Sequence, residues 1–423
     1  MSHFIPGLAC LLALGACATD PISGESKLAI VNWSIEDEQS IGDATAPTLI
    51  AEMDGPYADA SVQESLEAIV QEMVTHSPRA GDFDFTFRVL NSSEPNALAL
   101  PGGRIFITRG LLARLHNEAE FVGVLGHELG HAEHQHSLES LNKGILLGAP
   151  TAPLRAASNI PLVGGLLGSA ASVADAPSTL LGLSFNRSQE LEADERAVYF
   201  TDAMGYNPRA LIGVFDTLEQ VKAEAPGGAT SGLSIFSTHP LGKDRIRCVN
   251  EKANALPTRT QSRQDSPEFA AVLKRFQSEA EAFKIYDGVR SQFRALAESL
   301  DSSEPDPQAE AQFGAAVQGL ATALEMLPDE PLFHIQAAEL AMLLGDAATA
   351  ELHLEQAESR YAAETPGEGH WKPPLYLGLL RLSQGENDAA VTSLEVAVER
   401  FPANTDIQEA LAAARQAAES TAE

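Results

Sequence analysis

Two histidines and a glutamate stand at a spacing suited to metal chemistry in the first third of the 423-residue chain. His127, Glu128 and His131 form an H-E-x-x-H motif. On a helix, residues four apart share one face, so the two imidazoles could bind one ion together. Glu128 directly follows the first histidine and could reach a water on that ion. The motif therefore predicts a zinc hydrolase site with two histidine ligands and a carboxylate general base.

A zinc site of this kind needs a third protein ligand. The metzincin pattern would put glycine seven residues and histidine ten residues after His127. Those positions hold His134 and Ser137, so that class is excluded. On a later helical stretch, 187–204, Glu190 and Asp194 are four residues apart and share a face. Glu190 could complete a His-His-Glu site, and Asp194 could fix the ring of a ligand histidine. His134 is three residues past His131 and could face the same side. A run of histidines along a helix is more often solvated, so we expect solvent around this one.

The elements before the motif can be predicted from periodicity. Apolar residues recur at helical spacing over 61–74, and they alternate with polar residues over 83–89, which indicates a helix followed by a strand. The stretch 96–112 is predicted to form two short strands joined by Pro101, Gly102 and Gly103. Asn117 is a plausible N-cap for the helix that carries the zinc motif.

Four motifs in order resemble one peptidase family: NALALPGGRIFITRGLL, VLGHELGH, NRSQELEAD and STHPLGKDRI. They are similar to the gluzincin zinc metallopeptidases typified by HtpX, the CAAX prenyl proteases and, in layout, the BepA-like proteases with C-terminal repeats. The resemblance covers about 62–250. It implies one Zn²⁺ per chain, bound by His127, His131 and Glu190, with Glu128 as the base and Asp194 beside a ligand.

The resemblance also implies roles for residues that have no spacing signal of their own. His239 would lie near the metal and Arg245 would follow it in the same motif. His239 could act as a donor to the developing oxyanion, or as a fourth ligand that holds the enzyme latent. A peptide substrate would add as an extra strand to an edge formed by Asn96, Ala97, Leu98, Ala99 and Leu100.

The N-terminus, 1–17, is predicted to be a targeting segment. An apolar run of about a dozen residues is too short to span a bilayer and ends in Leu14-Gly15-Ala16-Cys17, which resembles a bacterial lipobox. Cys17 would be the lipidated residue that anchors the chain to the outer membrane on its periplasmic side, with 18–60 as an irregular tether. An ordinary secretory signal is the alternative.

The segment 143–185 is rich in Gly, Ala and Leu and is almost uncharged. It is too broken by proline to span a bilayer. A lid over the site, an apolar surface for substrate or membrane, and a pair of short core helices all remain open as interpretations of it.

The C-terminal part is predicted to be helical throughout. A linker and a helical hairpin, as two helices over 267–287 and 289–300, would occupy 257–306. The region 307–423 contains an internal repeat, because the stretch 340–350 matches 379–390. It resembles tetratricopeptide (TPR) repeats with an insertion at 365–374, and such arrays offer a concave surface for partner proteins. A helical spacer that binds nothing is the alternative.

The predicted fold is therefore mainly α with a small β-sheet in a zincin-like catalytic domain, 61–256, followed by an all-α repeat domain. The net charge of −31 argues against nucleic acid as a partner. The leading functional hypothesis is a zinc endopeptidase of the bacterial envelope that acts on misfolded or stalled envelope proteins, with the outer-membrane assembly machinery as a candidate partner of the repeats. The alternative is a chaperone or assembly scaffold with a largely latent zinc site.

Overall fold

A computed structural model describes residues 17–28, 31–146, 184–224, 235–240, 242–257, 261–300 and 309–422. These residues are mainly helical with two small sheets, which confirms the predicted fold class. The strands are β1 Cys17–Thr19, β2 Ser26–Leu28, β3 Thr86–Leu90, β4 Ala97–Leu100 and β5 Arg104–Thr108. Of the predicted segments, 1–16, 147–183 and 301–308 lie outside the described residues.

The first helices surround these strands, and together they form the part of the chain that carries the metal motif. They are α1 Ile35–Glu52, α2 Ala60–Val74, α3 Arg109–Leu112, α4 Glu118–Glu133, α5 His136–Leu146, α6 Arg187–Ala203, α7 Ala210–Glu224, α8 Ile235–Thr238 and α9 Lys243–Ala255. Among the described residues, no helix has the length and apolar character that a membrane crossing requires.

The larger sheet has the order β3-β5-β4, with β3 parallel and β4 antiparallel to β5. β4 and β5 are joined as predicted by Pro101, Gly102 and Gly103, and both glycines have φ near +78° (+77° and +78°). A residue with a Cβ is strained at such positive φ values, so glycine suits both positions of the turn. β4 pairs with β5 alone among the described strands, and its other edge faces the cleft of the metal motif.

The motif helix α4 packs along α6, and both helices begin at side-chain caps. Asn117 accepts a hydrogen bond from the Glu120 N–H, which confirms the predicted N-cap. Asn186 and Gln189 form a reciprocal capping box at the start of α6. The contact between the helices is close at Gly130, where an added Cβ would lie 3.0 Å from the Cα of Ala193.

The segment 18–60 was predicted to be an irregular tether, and this is wrong. β1 and β2 form a hairpin in which Cys17 pairs with Leu28, and α1 is an 18-residue helix capped by Ser34. Helix α1 packs on the larger sheet through Leu49, which joins a buried cluster with Leu100 and with Met53, the residue directly after the helix. Its buried face also contains Gly42, Thr45 and Thr48, so the apolar periodicity of a docked helix is weak in the sequence.

The C-terminal half is an array of helices. They are α10 Pro267–Leu300, α11 Ala309–Met326, α12 Pro331–Leu343, α13 Ala347–Glu364, α14 Lys372–Gln384, α15 Asn387–Arg400 and α16 Thr405–Ala422. Helices α12 with α13 and α14 with α15 are the two predicted repeats, and α16 follows as a capping helix. The predicted division of α10 at Gly288 is wrong, because one 34-residue helix runs through this glycine.

The helical array is docked on the metal-motif part of the chain. Tyr57 Oη donates to Glu279 Oε2 at 2.7 Å, and Asn91 Nδ2 donates to Glu330 Oε1 at 2.9 Å. The insertion between α13 and α14 also reaches across, because the indole N–H of Trp371 points to the carbonyl of Ala51 at 3.4 Å. The predicted domain boundaries at 256 and 306 stay predictions.

Candidate metal centre

The two motif histidines face the same buried point from α4. His127 Nε2 and His131 Nε2 lie 3.1 Å apart, and the two residues are 4% and 2% exposed. Burial and the neighbouring positive groups hold the pKa of His131 well below its ordinary value. A neutral imidazole with a free Nε2 lone pair is the form in which histidine binds a metal.

Glu190 approaches these two atoms from α6. Its Oε2 lies 3.6 Å from His127 Nε2, and its Oε1 lies 3.5 Å from His131 Nε2. In tetrahedral zinc sites, bonds of about 2.0–2.1 Å separate ligand atoms by roughly 3.3 Å. Arg245 Nη1 forms an ion pair with Glu190 Oε2 at 2.6 Å, which favours the ionised carboxylate that a metal ligand requires. The donor types and their separations therefore fit one zinc ion.

His239 comes to the same point from the turn after α8. Its Nδ1 lies 3.0 Å from Glu190 Oε1 and 3.3 Å from His127 Nε2. Its Nε2 lies 3.5 Å from Glu128 Oε1. Burial lowers the pKa of His239, but the carboxylates of Glu128 and Glu190 outweigh this effect and leave it raised. These distances put His239 within reach of both a bound ion and the carboxylate of the general base.

Glu128 is the carboxylate that faces the cleft, and it is 3% exposed. Burial raises its pKa, and the nearby Glu190 adds to this, while His239, His127 and Arg245 act in the opposite direction. A carboxylate with a raised pKa accepts a proton more readily than an exposed one. The arrangement suits a group that takes a proton and later returns it.

Asp194 and Arg245 support the opposite side of His127. Asp194 Oδ1 lies 3.0 Å from His127 Nδ1. Arg245 binds both oxygens of Asp194, at 2.9 Å through Nε and 2.6 Å through Nη2. The negative charge of Asp194 is therefore balanced, and the His127 ring is held with Nε2 directed at the cleft.

A cleft opens from this centre along β4. Its wall is formed by the strand itself, by Leu49 of α1, by Met53 directly after α1, and by Phe185. The ring of Phe185 stacks on His131 with centroids 3.9 Å apart, and its N–H donates to the Thr238 carbonyl at 3.2 Å. Helix α1 has no motif or spacing that points to the site. Phe185 ends the segment 143–185, for which a lid over the site was one of the open interpretations.

The predicted solvation of the histidine run is also wrong. His134 is 5% exposed and His136 is fully buried. His134 Nδ1 contacts Asp20 Oδ2 at 3.0 Å, and His136 Nδ1 contacts His131 Nδ1 at 2.9 Å. The β1–β2 hairpin covers this end of α4, and the sequence of α4 alone has no sign of that cover.

Residues 60–253 match the model of peptidase family M48. The chain contains an M48 peptidase domain. This match confirms the family resemblance and the metallopeptidase class of the domain. Its range includes the candidate ligands His127, His131, Glu190 and His239 and the carboxylate of Glu128.

Three curated relatives match parts of this chain. The mitochondrial metalloendopeptidase OMA1 of Arabidopsis thaliana is 27% identical over 54% of this chain and 40% of its own. The metalloprotease YcaL of Escherichia coli is 30% identical over 39% of this chain and 61% of its own. The beta-barrel assembly-enhancing protease of Escherichia coli is 24% identical over 62% of this chain and 52% of its own. The matched region spans less than two thirds of each relative.

A solved structure, that of a thermophilic TPR protein in Thermus thermophilus, is 17% identical. The likeness covers 62% of this chain and 97% of the other, with a TM-score of 0.22. That score is too low to indicate a common fold of the two chains.

Proposed function

We propose that this protein is a zinc-dependent endopeptidase that hydrolyses unfolded or misassembled proteins of the bacterial cell envelope. One observation carries the proposal. The Nε2 atoms of His127 and His131 and the carboxylate of Glu190 converge at ligand distances, and Glu128 lies in the same cleft beside the edge of β4.

The chemistry depends on a proton that Glu128 moves. A bound zinc ion would polarise the carbonyl of the substrate and lower the pKa of the attacking water. Glu128 takes the proton of the attacking water and returns it to the leaving amine. Its buried position and raised pKa suit both transfers. His239, held against Glu190, is placed to donate a hydrogen bond to the oxygen that becomes negative.

The edge of β4 would hold the substrate. The Thr108 N–H donates to the Asn96 carbonyl, and in an antiparallel ladder such pairs alternate along the strands. In the observed register, Leu98 with Phe106 is the next hydrogen-bonded pair, so Ala97 and Ala99 direct their backbone groups away from β5. An extended peptide could pair with these groups, and this mode requires an unfolded segment.

The cellular setting of the proposal comes from the sequence and from one relative. The lipobox-like Cys17 would anchor the chain in the outer membrane, facing the periplasm. One of the Escherichia coli relatives is a beta-barrel assembly-enhancing protease, so we propose envelope proteins as substrates. The helical repeats would recruit them or bind the assembly machinery. A net charge of −31 makes nucleic acid an unfavourable partner.

The test compares the wild type with Glu128→Gln on an unfolded outer-membrane protein, with zinc content measured in both. Glutamine keeps the shape of the side chain but cannot take the proton. We expect one zinc per chain in both proteins and a cleavage rate at least about 100-fold lower in the variant. Equal cleavage by both proteins would contradict the role of Glu128, and a wild type without zinc would contradict the metal site.

The position of His239 favours a second candidate, a chaperone or assembly scaffold whose site is largely latent. His239 Nδ1 is as close to Glu190 as a fourth ligand would be, and a fourth protein ligand leaves no place for water. In that case the wild type would not cleave and His239→Ala would. If His239 is a donor instead, the same substitution slows cleavage.

A further inference from the structure

A second group of histidine and carboxylate side chains lies behind the metal centre. His136, at the start of α5, contacts His131 through Nδ1 at 2.9 Å. Its other ring nitrogen, Nε2, lies 3.0 Å from Glu192 Oε2 on α6. His131, His136 and Glu192 therefore form a continuous chain of contacts that leads away from the candidate metal site.

The chemistry of the donors sets the direction of this chain. If His131 Nε2 faces the metal, its proton lies on Nδ1 and is donated to His136 Nδ1. His136 then carries its own proton on Nε2 and donates it to the ionised carboxylate of Glu192. Each hydrogen bond fixes the next tautomer, so the carboxylate orients the His131 ring through His136.

The N-terminal hairpin supplies the positive charge at the end of the chain. Lys27 Nζ, on β2, lies 3.5 Å from Glu192 Oε2 and 2.7 Å from Asp20 Oδ2. The Asp20 side chain is fully buried. It also accepts hydrogen bonds from the N–H groups of Ile22 and Ser23. The ammonium is thus held in a fixed place beside Glu192.

The two motif histidines are supported in parallel ways. The carboxylate of Asp194 orients His127 and is neutralised by Arg245. Glu192 orients His131 through His136 and faces the Lys27 ammonium at 3.5 Å. This ammonium also pairs with Asp20 and lies 3.5 Å from Glu139 Oε2. The first arrangement comes from α6 and α9 in the core, whereas the second is completed by residues far upstream of the H-E-x-x-H motif.

We propose that Lys27, held by Asp20, is a positioning residue for the metal centre. Lys27 acts on His131 through Glu192 and His136. The proposal rests on the zinc site proposed above. His134, His136 and Glu192 have ligand atoms within 4.8 Å of one another, and Lys27 puts a positive charge beside this group, 3.5 Å from Glu192 Oε2. The proposal therefore includes that this ammonium disfavours a second metal ion there.

The test measures zinc affinity on the full chain by competition with a chelator. Lys27→Met removes the charge and keeps much of the length of the side chain. Lys252→Met is the matched control. Lys252 on α9 forms an exposed ion pair with Glu195, and Glu195 lies on α6, the helix that also carries Glu192. We expect zinc to bind roughly 10-fold more weakly in Lys27→Met, with little change in Lys252→Met and partial recovery in Lys27→Arg.

A second readout distinguishes positioning from a general loss of stability. The visible absorption band of the Co²⁺-loaded protein reports the geometry of the ligands, and we expect it to shift in Lys27→Met but not in Lys252→Met. If Lys27→Met does not fold, Glu192→Gln tests the same chain, since it keeps an acceptor oxygen without the charge. Glu192→Gln should lower the zinc affinity, as Lys27→Met does.

Three results would overturn the proposal. Equal zinc affinity and equal Co²⁺ spectra in Lys27→Met and Lys252→Met would exclude the positioning role while leaving the proposed zinc site intact. Two zinc ions per wild-type chain would show that the second group binds a metal instead of Lys27. A wild type that binds no zinc would overturn the proposed function and this inference together.

Discussion

His127 Nδ1 lies 3.0 Å from Asp194 Oδ1, and both side chains are buried. This contact joins the H-E-x-x-H helix to the helix that carries Glu190. Arg245 binds both oxygens of the same carboxylate, so Asp194 is charged and fixed in place. In the folded protein the pKa of Asp194 is lowered, because hydrogen bonds and charges from Arg245 and His127 outweigh the opposing effect of burial.

Asp194→Asn should therefore weaken zinc binding without removing a ligand. The amide lacks the negative charge that favours the Nδ1–H form of His127, and it leaves Arg245 without its partner. We expect zinc affinity to fall about 10- to 100-fold, measured by chelator competition. Glu195→Gln changes an exposed carboxylate on the same helix and should have no effect. Equal affinities in the two variants would contradict the role of Asp194.

The close approach of α4 and α6 predicts opposite effects for two helical glycines. An added Cβ at Gly130 would lie 2.8 Å from Arg196 Cβ, whereas Gly288 has open space around it. Overpacking costs about 1–3 kcal/mol, and alanine in a helix gains up to about 1 kcal/mol over glycine. Thermal unfolding should show Gly130→Ala destabilised and Gly288→Ala stabilised. A stabilised Gly130→Ala would show that the two helices can separate at little cost.

The proposed substrate edge can be tested at one backbone N–H. Proline at position 99 removes the N–H that points away from β5, and proline is tolerated on edge strands. A lost hydrogen bond and the added ring should reduce cleavage of an unfolded protein roughly 10-fold. Ala99→Val keeps the N–H and should cleave at a rate close to that of the wild type. Both variants should retain zinc. Unchanged cleavage by Ala99→Pro would argue against strand addition at β4.

The contact between the repeats and the M48 domain should depend on pH. Burial raises the pKa of Glu330 to about 7, above the ordinary value of 4.5. Between these two values the folded state binds a proton that the unfolded state does not, so stability falls as pH rises through that window. The direction of the effect is therefore a loss of stability on going from weakly acidic to neutral conditions.

Glu330→Gln should reduce this dependence. The amide keeps an acceptor oxygen for Asn91 and for the Leu332 N–H, and it never ionises. We expect the melting temperature of the wild type to fall more than that of the variant between about pH 5 and about pH 8. Glu325→Gln, at an exposed position on α11, should behave as the wild type does. Parallel curves for wild type and Glu330→Gln would contradict the raised pKa.

Local features of the fold could be predicted from the sequence. The Asn117 cap, the β4–β5 turn and the helical repeats all depend on residues within one or two turns of each other. Helix α1 was missed because part of its docked face is Gly42, Thr45 and Thr48, which have no apolar periodicity. Gly288 indicated a break that does not occur, since the packing of α10 against its neighbours overrides the weak local preference of one glycine.

The sequence by itself determined the ligand types of the metal centre, because the spacing of His127 and His131 puts both on one face of any helix. Tertiary structure decided what surrounds them. Asp20 reaches His134 across 114 residues, and Lys27 reaches Glu192 across 165. Contacts over such separations depend on how the hairpin docks against α4 and α6. No pattern in the sequence around a charged residue in a polar segment indicates which distant residue it will contact. The ligand histidines could therefore be predicted from neighbouring residues, whereas the groups that orient them depend on contacts between distant parts of the chain.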